Sequence, residues 1–81
     1  MAFEGICEIR RAGVDSNGLA RLDLKADNGQ FDWNWFFSQP EVSREVLATA
    51  LAAIVSGKRL NCLINDPVVP NGRIVNIQLI K

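Results

Sequence analysis

Histidine and tyrosine are absent from this 81-residue chain, which has only two cysteines and one methionine. Without histidine, no serine or cysteine has an imidazole base beside it. Two cysteines and no histidine also fall short of a four-ligand zinc site. No glycine-rich phosphate loop occurs. Glu4 and Glu8 share a strand face four residues apart, too far for tight coupling, and a glycosidase pair needs a deep cleft that so small a domain lacks the material to build. These absences predict a chain that is not an enzyme and holds no metal or cofactor. Charge excess is missing too: nine basic residues balance nine acidic ones. Proteins that bind phosphate backbones usually carry a basic surplus, so the balance argues against a nucleic-acid partner. No apolar run approaches the roughly 20 residues that span a bilayer, which argues against membrane insertion. The start, Met1-Ala2-Phe3-Glu4, has neither basic residues nor an apolar run, so the chain as given reads as cytoplasmic, without a secretory signal.

What is present is an ample core for one domain over residues 1–81, with 48% apolar residues. Residues 3–12 alternate loosely, with Phe3, Cys7 and Ile9 on one side, Glu4, Glu8 and Arg10 on the other, and Ile6 out of step. Asp15-Ser16-Asn17-Gly18 is a turn cluster. Residues 19–26 alternate well, with Ala20, Leu22, Leu24 and Ala26 inward and Arg21, Asp23 and Lys25 outward. After a second turn at Asp27-Asn28-Gly29, residues 30–37 read as a third strand. Phe31, Trp33, Trp35 and Phe37 share one face, read as barrel core with a stacking platform for bases or sugars as the alternative, and Asp32, Asn34 and Phe36 share the other.

Ser38-Gln39-Pro40-Glu41 then signals a helix start, with Ser38 as N-cap and Glu41 as its capping-box partner. A helix is expected over 40–56, stopped by Gly57. Residues 58–65 and 73–80 read as the fourth and fifth strands, separated by a loop from Asp66-Pro67 through Pro70, Asn71 and Gly72. The order β-β-β-α-β-β makes the chain mainly β with one helix, a five-stranded OB-type Greek-key barrel.

The helix has no charge from Val46 to Ser56. One apolar stripe is enough to seat a helix on a small barrel, and Leu47, Leu51, Ile54 and Val55 supply it. Val42, Val46, Thr49, Ala50 and Ala53 cover neighbouring faces with small or apolar groups, the expected interface between copies of the chain. The stretch LATALAAIVSGKRLNCLINDP followed by NGRIVNIQLIK resembles the pertussis-like and subtilase-type B subunits of AB5 toxins, over roughly residues 31–81. The Ser56-Gly57-Lys58 junction and the small-residue helix carry the likeness. The resemblance implies a homo-oligomer, a pentameric ring with helices around a central pore. It further implies a glycan-binding outer surface and export, the signal having been removed.

The outer face of strands two and three is where OB-folds bind oligosaccharides and oligonucleotides. Arg21, Asp23, Lys25, Asp32, Asn34 and Phe36 are its expected ligand-binding residues, and their mixed charge suits a glycan or a protein. A second reading is a cytoplasmic OB-fold that holds single-stranded nucleic acid through Arg21, Lys25 and Phe36. A third is a structural oligomer with no other ligand. Cys7 and Cys62 fall inward on strands one and four, neighbours in a closed barrel, where a disulfide and a pair of buried free thiols fit equally well.

Overall fold

The structure, a computed structural model, describes residues 3–65 and 72–80. The loop expected from Asp66 to Asn71 lies outside the described residues. The elements are β1 (Phe3–Val14), β2 (Ala20–Ala26), β3 (Asn34–Ser38), a 3₁₀ turn (Pro40–Val42), α1 (Ser43–Ser56), β4 (Leu60–Asn65) and β5 (Arg73–Leu79). They close into a barrel in the order β1-β2-β3-β5-β4, the expected OB-type architecture. Among the described residues the contact between β3 and β5 is the one parallel pairing, made by Phe37 with Arg73 and Ser38 with Ile74.

β1 is long enough to serve two neighbours. Its first part, Phe3 to Cys7, pairs with β4, and its second part, Cys7 to Val14, pairs with β2. The two turns are built as their residues predict. Asp15 Oδ1 accepts from the Asn17 and Leu19 amides, each at 2.9 Å, while Gly18 and Gly29 take φ values of 81° and 82° that side chains disfavour. From β2, Leu22, Leu24, Ala20 and Ala26 are fully or almost fully buried. They meet Phe3, Phe31 and Phe36, whose rings contact in sequence, edge-to-face and then tilted, at centroid separations of 5.0 and 4.8 Å.

β3 is where the expected pattern reverses. Only Asn34–Ser38 joins the ladder, and Phe36 opposite Leu22 is fully buried, whereas Trp33, Trp35 and Phe37 are half-exposed. Phe31 is buried but lies before the strand. The bend at Asp32, where Oδ1 accepts the Trp33 amide at 2.8 Å, interrupts the period-2 count. A count begun at Phe31 therefore assigns every later side chain to the wrong face.

The helix start also differs. Ser38 ends β3 rather than capping the helix, and neither Ser38 nor Glu41 makes a capping bond. Ser43 Oγ donates to the Gln39 carbonyl at 3.2 Å, leaving the buried Ser38 Oγ to donate to Ser43 Oγ at 2.6 Å. That pair ties the end of β3 to the first turn of α1. At the other end, Gly57 adopts φ 70°, and the Lys58 amide donates back to the Ala53 carbonyl at 3.0 Å, the glycine-terminated stop that the sequence signals.

The faces of α1 are likewise exchanged. Val46, Ala50 and Ala53 pack onto the barrel with 4% or less of their surface exposed, while Leu51, Ile54 and Val55 are 46%, 36% and 87% exposed. Val46, Ala50 and Ala53 are therefore not available to another copy, and the expectation that they form an interface is corrected. Small side chains let the helix backbone sit close to the strands, a position that leucine and isoleucine would hold at a distance. Leu47 is partly buried against the core, and Val42 and Thr49 are intermediate.

Cys7 and Cys62 are buried free thiols. A hydrogen bond to Cys7, and then burial, push the Cys62 thiol well above its ordinary range. In the unfolded chain this thiol ionises near pH 8.5, so above that pH the unfolded state holds fewer protons than the folded one. Stability is then complete below about pH 8 and falls above about pH 9, by up to about 1.4 kcal/mol per pH unit. Urea midpoints measured across this range in reducing buffer test it, and Cys62→Ala should flatten the slope.

Candidate functional site

A β-bulge makes the most distinctive surface of the barrel. Along β1 and β2 the partners are Ile9 with Leu24 and then Arg11 with Asp23, so Arg10 is the extra residue. A bulge sets two consecutive side chains against one on the partner strand. Both arginines thus reach the outward side chain of Asp23. Arg10 Nε donates to Asp23 Oδ2 at 2.6 Å, and Arg11 donates to the same oxygen from Nε at 3.0 Å and Nη2 at 2.9 Å.

Asp23 points away from the barrel interior yet its side chain is only 2% exposed, against 50% and 58% for Arg10 and Arg11. The two guanidinium groups, with the indoles beside them, form its cover. Arg10 lies 4.4 Å from the Trp33 ring centroid and Arg11 4.8 Å from that of Trp35. Arg21, opposite Phe37 in the register, lies 4.3 Å from the same Trp35 ring. Each such contact is worth about 0.5–2 kcal/mol, depending on how dry it is. The result is a continuous row across three strands: Trp33, Arg10, Asp23, Arg11, Trp35, Arg21.

Of the expected ligand-binding residues, Arg21, Asp23 and Lys25 do share this outer face. Lys25 is half-buried and sits opposite Glu8, which Arg59 holds at 3.3 Å. Asp32 is exposed in the bend before β3. Asn34 pairs with Leu24, which places it on the inward side, and its Nδ2 is buried without a hydrogen-bond partner. Phe36 belongs to the core and cannot touch a ligand, which corrects the expectation of an exposed ring there. Arg10, Arg11, Trp33 and Trp35 also lie on this face but are not among the expected ligand-binding residues. The signal was the doublet Arg10-Arg11 between Ile9 and Ala12, because two adjacent polar residues in an alternating strand mark a bulge.

The described residues contain no group of three His, Cys, Asp or Glu side chains able to hold a metal ion. Nor do they include a helix long and apolar enough to cross a membrane. The open recesses elsewhere are shallow. One of about 220 Å³ lies between Glu8, Ile9, Ala53 and the Gly57–Arg59 segment. No family model, curated protein or solved structure matches the chain.

The carboxylate at the centre of the face holds the two arginines in place, so Asp23→Asn should loosen both and free the indoles. Replacing charge-assisted bonds by neutral ones here should cost about 1.5–3 kcal/mol, since the arginines can still reach water. A lower urea midpoint with red-shifted tryptophan emission from the folded state is the expected result. Unchanged emission would mean that the indoles do not depend on Asp23.

Proposed function

We propose that this chain is a non-catalytic recognition and assembly module, in which barrels associate through the outward face of α1 and present the arginine–tryptophan face to a ligand. The observation that carries the assembly is the polarity of the helix. Val46, Ala50 and Ala53 face its own barrel, and Leu51, Ile54 and Val55 are exposed. Left exposed, these groups forgo the burial free energy, up to about 1.5–3 kcal/mol for a fully buried side chain of this size, that a covering partner would supply. A second copy of the chain is the occupant this face suits. The segment from Val46 to Ser56 carries no charge, and zero net charge removes long-range repulsion between copies. Oligomerisation is also a common way for so small a domain to gain stability. The resemblance to AB5 toxin B subunits favours a ring of five.

The non-catalytic reading is supported by the chemistry of the strand face. Its central carboxylate is committed to two guanidinium groups through three hydrogen bonds to one oxygen, and the chain has no histidine to act as a base. Native mass spectrometry or light scattering tests the assembly. Multimers are expected, and Leu51→Glu with Val55→Asp should reduce them to monomers while the thermal midpoint of the barrel changes little. A wild-type monomer at high concentration would overturn the proposal.

A further inference from the structure

The whole chain is neutral, but its charge is not evenly spread. Around Asp23 on the outward face of β1 and β2, Arg10, Arg11, Arg21 and Lys25 stand against that one carboxylate, a local surplus of three. Glu8 lies beside Lys25 and is paired at 3.3 Å with Arg59, which also holds Asp27 at 2.9 Å, and Glu4 sits near the start of β1, paired with Leu63 of β4. Interleaved with the arginines are two half-exposed indoles, Trp33 and Trp35, and the half-exposed ring of Phe37.

We infer that this face binds single-stranded nucleic acid, with bases stacked on Trp33, Trp35 and Phe37 and the phosphate chain along Arg10, Arg11, Arg21 and Lys25. The inference rests on the reading of the strand face as the recognition surface.

Three features favour this ligand class. Aromatic rings in a basic track are the general means of holding single strands, because every base offers a π face and every phosphate a charge. The rings of Trp35 and Phe37 are two residues apart on β3, about 6.6–6.8 Å along a strand, which matches the repeat of an extended polynucleotide, and Trp33 precedes them in the bend. The row also has a displaceable member. Arg10 and Arg11 are fixed by Asp23, but among the described residues Arg21 has no carboxylate partner and rests on Trp35 alone. Arg21 can swing from the ring to a phosphate and give up its place to a base. A neutral glycan would leave the basic surplus unused, and a glycan with one carboxylate would engage one arginine of the row.

The test is titration of the full chain with fluorescently labelled oligothymidine, following anisotropy and quenching of the intrinsic tryptophan emission. Binding at low salt is expected, with log K falling against log[salt] at a slope near −2, three phosphates at about −0.7 each. Trp35→Ala should weaken binding about ten-fold or more. Arg21→Ala, which leaves the Asp23 cluster intact, should weaken binding and make the slope shallower. Absence of binding at low salt overturns the inference, as does binding that both variants leave unchanged. A panel of neutral and acidic oligosaccharides separates it from the reading beneath it. Quenching by a glycan with none by oligothymidine overturns the nucleic-acid ligand and keeps the face as a recognition surface. Silence toward both overturns the two together.

Discussion

Two arginines share one carboxylate, and the outer wall of the barrel is arranged around that contact. An aspartate on the outward side of a strand would ordinarily be solvated. Here Asp23 is covered, which removes its water and leaves its charge dependent on Arg10 and Arg11. The desolvation is tolerable because each guanidinium keeps about half its surface in water, so only one charge of the three is truly buried. The bulge is the backbone condition for this arrangement. Without the extra residue, Arg10 and Arg11 would point to opposite faces and one of them would enter the core. Cluster and bulge therefore support each other, and the indoles are placed by both.

The bulge also matters for closure. β1 has to pair with β4 at its start and β2 at its end, and a strand that serves two neighbours must bend between them. A second irregularity sits on β5, where Leu63 pairs with Asn76 but Ile64 pairs with Ile74, leaving Val75 as the extra residue. The two bulged strands lie on either side of β4. They let a five-stranded sheet curl into a barrel narrow enough to be filled by leucine, isoleucine and three phenylalanine rings.

These bulges explain which parts of the molecule were legible in its sequence. Element order, the two turns, the alternation of β2 and the Gly57 stop are local signals, and each appears where its residues indicate. Face assignments on β1, β3 and α1 depend on more than period. On β3 the bend at Asp32 breaks the count, so four aromatics that read as one stripe divide between the core and the surface. On α1 both faces are apolar, and hydrophobicity alone cannot choose between them. Size chooses, because the end of the barrel leaves room for Ala50 and Ala53 but not for Leu51 or Ile54. The arginine pair stayed hidden for a related reason: its importance comes from Asp23, twelve residues or more away along the chain.

The neutral composition has a similar lesson. Overall charge describes the far field of a molecule, and that field is what steers distant partners. A ligand in contact experiences the groups within a Debye length, about 8–10 Å at ordinary ionic strength. Within that range the strand face is basic, while carboxylates such as Glu41 and Glu45 sit on the 3₁₀ turn and the first turn of α1. On the proposed reading, such a molecule would gain little from long-range attraction to a polyanion and would depend on stacking for its hold. It also has little tendency to repel its own copies. Segregated charge with a zero sum would thus let the proposed ligand face on the wall and the proposed self-association face at the helix coexist on one small barrel, without either surface opposing the other.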